Sequence, residues 1–285
     1  MKRTTPLLFL LFLGCTTTFP HVAQTEAATF PGRQFEHVLI IVLENEDNET
    51  VLANTYMKKI ADGGRRFADY DGLFHPSYPN YLALVAGDFF HTKGDQQKTI
   101  DARTIADLLE AHHLTWTQYA QNYPGHCFLG AKTPDGLYTR KHVPFLSFKS
   151  IQAPDRCKNV VSADQFDRHN LPNYAFFTPN MKNDGHDTSL AFAAKWLAGF
   201  LAPILADPSV MKDTLVVVTF DESATQSHNH IYTVFLGGMV EPGVDTKHYD
   251  HYNLLRTIED NFGVGTLGAK DATSIPIVDA WKNAP

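Results

Sequence analysis

The chain has 285 residues, 44% of them hydrophobic and 12% aromatic, which supports one large domain with a sizeable core and excludes a disordered protein. Its formal charge of −7 leaves no basic footprint for nucleic acid, so no nucleic-acid partner is expected. A net negative protein that handles a phosphorylated substrate has to neutralise it locally, with a metal ion or with helix N-termini.

At the N-terminus, Lys2 and Arg3 precede the apolar run from Pro6 to Gly14, and Cys15 follows directly. This reads as an export signal whose apolar core is too short for an ordinary transmembrane helix. Phe12-Leu13-Gly14-Cys15 has the form of a bacterial lipobox, so a lipidated Cys15 and a membrane anchor form one expected outcome. Cleavage near Ala27-Ala28, releasing a soluble protein, is the other. Residues 1–28 are therefore taken as the export segment and 29–285 as a single domain, located in the periplasm, outside the cell, or on the outer membrane as a lipoprotein. With Cys15 set aside, Cys127 and Cys157 are an even pair in an oxidising compartment and are expected to form one disulfide. Neither has the paired spacing of a metal site.

His37 to Leu43 is a continuous, largely β-branched run, the pattern of a strand buried on both faces. Asn54 to Ala61 reads as a helix stopped by Gly63-Gly64. A further helix-like segment runs from Tyr81 to Ala86, with Pro79 suited to a first helical position. Ser77 lies just ahead of it. A serine there either caps the helix or, facing unpaired N–H groups near Pro79-Asn80, serves as a nucleophile whose anionic target those groups also hold. Thr104 to His112 has helical spacing and Thr115 to Ala120 is strand-like.

The stretch from Gln121 to Asp167 is rich in Pro, Gly, Lys and Cys without clear periodicity, and is expected to be an insertion or cap. Within it Arg140-Lys141-His142 reads as a solvated basic turn, the less favoured alternative being a contact to a second anionic part of the substrate. Regular elements return as a strand over Asn173 to Phe177, an amphipathic helix over Ser189 to Leu205, strands over Thr214 to Phe220 and Ile231 to Leu236, and a helix over Tyr252 to Asn261. Strands alternating with helices predict an α/β fold, a three-layer α/β/α sandwich around a mostly parallel sheet.

In such sheets ligands bind beyond the carboxyl ends of the strands. The residues that follow the predicted strands are Glu44-Asn45, then Asn180, Asp184, His186 and Asp187, then Asp221-Glu222, then His248-Tyr249-Asp250-His251. Each run alone has an ordinary structural reading as a turn or a cap. Glu44 does not, because a carboxylate ending a wholly apolar strand needs a partner. Together they offer oxygen and nitrogen donors suited to Zn²⁺, Mn²⁺, Mg²⁺ or Ca²⁺.

Five motifs occur in order: Ile41-Val42-Leu43-Glu44-Asn45, His75-Pro76-Ser77-Tyr78-Pro79-Asn80-Tyr81, Asn183-Asp184-Gly185-His186-Asp187, Thr219-Phe220-Asp221-Glu222 and His251-Tyr252-Asn253-Leu254-Leu255-Arg256-Thr257-Ile258-Glu259-Asp260. As a set they resemble the bacterial and fungal acid phosphatase/phospholipase C phosphoesterase family of the alkaline-phosphatase-like superfamily, over roughly residues 36 to 268. The Ser77 segment also resembles the Thr-Phe-Pro-Asn nucleophile segment of nucleotide pyrophosphatases. The resemblance implies that Ser77 is the nucleophile and that Glu44, Asn45, Asp221 and Glu222 hold a divalent cation in contact with it. It further implies that His186, Asp187 and His251 line the other side of the phosphate, as ligands of a second metal or as proton donors. Two-zinc relatives carry Asp-His where this chain has Asp221-Glu222, so one ion or two remain open.

The implied activity is that of an exported, metal-dependent phosphomonoesterase of acid phosphatase type, acting through a phosphoserine on small-molecule or lipid phosphate esters. The short stretch after residue 268 leans toward that reading over a phospholipase C-like phosphodiesterase. A non-catalytic surface binding lipoprotein is the alternative of another class. A sulfatase is disfavoured, because Ser77 is followed by Tyr78-Pro79-Asn80-Tyr81 rather than by a Pro-x-Arg pattern.

Overall fold

Among the described residues, buried runs rich in β-branched and aromatic side chains form the middle of one eight-stranded sheet. The computed structural model describes Met1, residues 30–225 and residues 228–282. Its strands are β1 (His37–Leu43), β2 (Arg65–Asp71), β3 (Trp116–Ala120), β4 (Val160–Ser162), β5 (Tyr174–Thr178), β6 (Thr214–Phe220), β7 (Thr233–Leu236) and β8 (Gly243–Asp250), in the spatial order β4-β3-β5-β1-β6-β7-β2-β8. Every residue of β5, β6 and β7 is buried, as is β1 beyond His37. That is why these segments read as unbroken runs rather than as alternation. β7 is antiparallel to β6 and β2, and the other pairings are parallel.

The helices are α1 (Asn48–Ala53), α2 (Thr55–Gly63), α3 (Tyr78–Ala86), α4 (Ile105–Ala111), α5 (Pro154–Cys157), α6 (Leu190–Leu205), α7 (Pro208–Met211) and α8 (His251–Phe262). They pack in two groups, α3 with α4 and α8, and α2 with α1 and α6, with α7 beside α6. With both faces of the central strands covered, the architecture is the α/β/α sandwich that the alternation of elements predicts. Ser189 Oγ accepts from Phe192 N at the start of α6, and Asp250 with Asn253 forms a capping box at the start of α8.

Three strands have no counterpart in the sequence reading. β8 lies at the sheet edge and carries Asp245, Lys247, His248 and Asp250, and β2 beside it is also charged, so neither presents an apolar run. β4 is a three-residue strand at the other edge. The segment between residues 121 and 167 is more than a surface insertion. It supplies β4, and its Phe145, Leu146, Ser147 and Phe148 are fully buried. Cys127 and Cys157 are joined in a disulfide with Cα atoms 5.6 Å apart. The export segment and Cys15 fall on residues 2–29, outside the described residues.

Candidate active site

β1 and β6 are parallel neighbours that end in register, Leu43 pairing with Phe220. The next residue on each strand, Glu44 and Asp221, therefore emerges at the same edge, and Asp221 N donates to Leu43 O at 3.1 Å. Glu44 N donates in turn to Asp184 O at 3.0 Å, which draws in the loop that follows β5.

Ser77 reaches this edge on the loop from β2 to α3. Asn80 fixes that loop: its Oδ1 accepts from Leu73 N at 2.9 Å and Phe74 N at 3.0 Å, while its Nδ2 donates to Phe74 O at 2.9 Å. Gly72 is required there, because a Cβ would stand 2.9 Å from Asp221 O. Ser77 occupies the N-cap position of α3, yet its side chain makes no capping bond. Its Oγ lies instead 3.0 Å from Glu44 Oε2 and 3.1 Å from Glu222 Oε1, one hydroxyl hydrogen between two carboxylates. The helix amides expected to hold an anion are engaged: Tyr78 N donates to Asp95 Oδ1 and Asn80 N to Ser77 O.

Glu44, Asp221 and Glu222 are all buried. Burial, then the charges of Glu44 and Glu222, push the Asp221 carboxyl well above the usual range. Burial and the Glu44 charge bring Glu222 up to about 7. Burial would raise Glu44 too, but His142 and then Lys141 outweigh it and hold that carboxyl at about 2. Asp221 Oδ2 and Asn45 Oδ1 are buried without hydrogen-bond partners, while Asn45 Nδ2 donates to Glu222 Oε1 at 3.3 Å. Crowded carboxylates with free oxygens are relieved by a cation, and an all-oxygen set suits a hard one. Glu44, Asn45, Asp221 and Glu222 thus have the donor chemistry that a divalent ion beside Ser77 would need.

The remaining expected residues sit differently. His251 Nε2 lies 2.7 Å from the backbone oxygen of Asp221, so the ring braces the strand end; burial pushes its pKa down, and Nδ1 has no partner. His186 Nδ1 lies 2.8 Å from Asp187 Oδ1, with side chains 33% and 53% exposed. Among the described residues, neither makes a hydrogen bond or ion pair to Ser77, Glu44, Asp221 or Glu222. His248 faces Asp69 and Asp71 on the open side of β2 and β8; these three offer ligand atoms within 4.8 Å of one another.

The site also gathers residues to which the sequence reading gave no role beside Ser77. Lys141 and His142 belong to a buried turn rather than a solvated one. Lys141 Nζ is 3.0 Å from Asp95 Oδ2 and 3.4 Å from Ser77 Oγ. His142 stacks on Tyr81 with ring centroids 4.9 Å apart and planes 14° from parallel. Its Nε2 is 3.2 Å from Glu44 Oε1 and its Nδ1 3.6 Å from Asp184 Oδ2. Burial alone would lower the His142 pKa, but Glu44 and then Asp184 bring it up to about 9. Tyr81 donates its hydroxyl to Glu44 Oε1 at 2.5 Å, and His75 Nδ1 meets Glu222 Oε2. Three adjacent basic residues between the cysteines were the sole sequence signal for Lys141 and His142, and nothing in their spacing pointed inward.

The model of the phosphoesterase family matches residues 53–265. Over 257 residues the chain is 37% identical to a probable acid phosphatase of Kluyveromyces lactis, covering 84% of this chain but 61% of the length of that one. It is 33% identical to the phosphatidylinositol-3-phosphatase of Mycobacterium tuberculosis, covering 87% of this chain and 83% of that one. A Vibrio parahaemolyticus protein of the alkaline phosphatase superfamily superposes with a TM-score of 0.61 at 12% identity, over 86% of this chain and 71% of that one, a likeness of fold. With more than half of its length matched by the family model and its sheet shared with that superfamily, the chain belongs to the phosphoesterase family, on an alkaline-phosphatase-like fold.

Proposed function

We propose that the chain is an exported, metal-dependent phosphomonoesterase that works through a phosphoserine at Ser77. The observation that carries this reading is the position of Ser77 Oγ, turned away from its helix end and set between Glu44 and Glu222. The acid phosphatase and phosphatidylinositol-3-phosphatase named among its relatives support the reaction class. The disulfide supports export, because such bonds persist in oxidising compartments.

A divalent cation held by Glu44, Asn45, Asp221 and Glu222 would supply charge neutralisation for the serine oxygen and the phosphoryl group. Ser77 Oγ gives an electron pair to phosphorus, and its proton passes to one of the two carboxylates it touches. The bond from phosphorus to the ester oxygen breaks, and that oxygen leaves as an alcohol after taking a proton. His186, the partly exposed imidazole on the loop that carries Asp184, is the donor we assign. Water then displaces the serine, restoring its hydroxyl and releasing phosphate. Tyr81 and His142 fix the Glu44 carboxylate throughout, and His251 fixes the backbone of Asp221.

The test compares p-nitrophenyl phosphate with bis-p-nitrophenyl phosphate on the mature protein, from acid to alkaline pH, with and without chelator. Monoester turnover that chelation abolishes is the expected result. Preference for the diester would replace the reading with a phosphodiesterase. Folded, metal-loaded protein that hydrolyses neither would replace it with a binding protein.

A further inference from the structure

A phosphoryl group approaching Ser77 meets a wall of carboxylates. With a divalent ion bound, Glu44, Asp221 and Glu222 would carry three formal negative charges against its two positive ones, His142 is paired with Glu44 and Asp184, and the first amides of α3 are already bonded. Something else on the chain has to receive the charge of the phosphoryl oxygens.

Lys141 is placed to do so. Its side chain is 11% exposed, against 40% for its partner Asp95, so the ammonium faces inward and the carboxylate lies toward solvent. Asp95 holds it at 3.0 Å and also accepts from Tyr78 N, the amide next to the nucleophile, at 3.1 Å. Ser77, Tyr78, Asp95 and Lys141 thereby close a ring that ends with Nζ 3.4 Å from Ser77 Oγ. An ammonium has three donors. Asp95 takes one and the contact to Ser77 a second, which leaves a third for an oxygen bound to the atom that Oγ attacks. His142, the other buried cation, is committed to Glu44 and Asp184.

We propose that Lys141 is a catalytic residue that binds a non-bridging oxygen of the transferring phosphoryl group and so selects dianionic monoesters over monoanionic diesters. This rests on the reading of Ser77 as nucleophile. Lys141 keeps its three protons throughout, the Oγ–P bond forms as the P–O bond to the alcohol breaks, and the ammonium offsets charge that a diester lacks. Removing a single preorganised donor of this kind lowers turnover by about 100- to 1,000-fold.

The experiment measures kcat/KM for p-nitrophenyl phosphate and bis-p-nitrophenyl phosphate at pH 7.5, where the monoester is dianionic, in wild type, Lys141→Met, Lys141→Gln and Lys141→Arg. Fold and metal content are checked by circular dichroism and elemental analysis. The neutral variants are expected to lose about 100-fold or more on the monoester and less than about tenfold on the diester, while the arginine variant keeps the wild-type ratio within about tenfold. Equal losses on both esters, or none, would overturn the proposal while leaving the phosphatase reading intact. Wild-type protein inactive on both esters would sink that reading itself. Should the neutral variants not fold, inhibition of wild type by inorganic phosphate against dimethyl phosphate decides. Phosphate at least about tenfold stronger supports Lys141 as a dianion-binding group, and equal inhibition overturns it.

Discussion

Glu44 and Asp221 stand side by side because the strands that carry them end in register, Leu43 opposite Phe220. Two parallel strands can deliver two carboxylates to one point only if neither is a residue longer than the other, since a one-residue slip turns every side chain to the opposite face. Asp221→Asn keeps the shape and removes one of the charges that repel one another. The metal-loaded protein is expected to lose affinity for its ion by about 10-fold or more, read by elemental analysis after dialysis against graded chelator. Unchanged occupancy would remove Asp221 from the ligand set.

Ser77→Ala removes the atom that Glu44 and Glu222 share. Turnover on the monoester is expected to fall by about 1,000-fold or more, the scale on which enzymes lose an activated nucleophile. Stability is expected to fall by only about 1–3 kcal/mol, the cost of removing the hydrogen that two buried carboxylates share, so the variant stays folded. A variant that keeps the wild-type rate would eliminate Ser77 as nucleophile.

The strands that carry the site were readable as sequence because β1 and β6 are largely apolar, β-branched runs that both stop at a carboxylate. Burial on both faces writes an unbroken hydrophobic run, and the first charge after it marks the sheet edge. The same logic hid β8, where His248 and Asp250 read as a loop before a helix but form an exposed edge strand. It also hid Lys141 and His142. Their burial is set by contacts to Asp95, 46 residues away, and to Glu44 and Asp184, and no local period encodes such distant partners. His186 and Asp187 show the reverse case: a motif beside the site whose side chains bond to each other near solvent.

The disulfide bears on the site through the chain between its ends. Cys127 and Cys157 close a loop with a sequence separation of 30, and Lys141 and His142 lie near its midpoint. Closure of a loop of that length is worth about 4 kcal/mol in the chain-entropy treatment. Replacing both cysteines with serine is expected to lower stability by roughly that amount in urea titration. Turnover should fall together with it, since the loop brings both cations to Ser77 and Glu44. Loss of stability with full activity at low temperature would mean that packing of Phe145, Leu146 and Phe148 alone positions the turn.

Glu259 places a second titration inside the fold, among Asp271, Arg256 and Asp260 rather than the carboxylates around Ser77. It is fully buried on α8, and neither carboxyl oxygen has a hydrogen-bond partner. Burial first, and then the charge of Asp271, push its pKa from 4.5 up to about 9. Asp271 is itself held by Leu267 N at 2.7 Å and Ala269 N at 2.9 Å. A carboxyl raised on folding is bound to its proton more tightly in the native state, so its share of stability is complete below about pH 4.5 and drains away as pH rises toward about 9. Glu259→Gln keeps the shape and abolishes that titration. Wild type and variant should melt within a degree or so of each other at pH 4.5. By pH 8 the variant should be ahead by at least about 1 kcal/mol, or roughly 2–4 °C for a chain of this size. Differential scanning fluorimetry across that range reads the difference between the two curves, which cancels the titrations they share. Parallel curves would mean that Glu259 finds a proton donor on folding that stabilises its charged form.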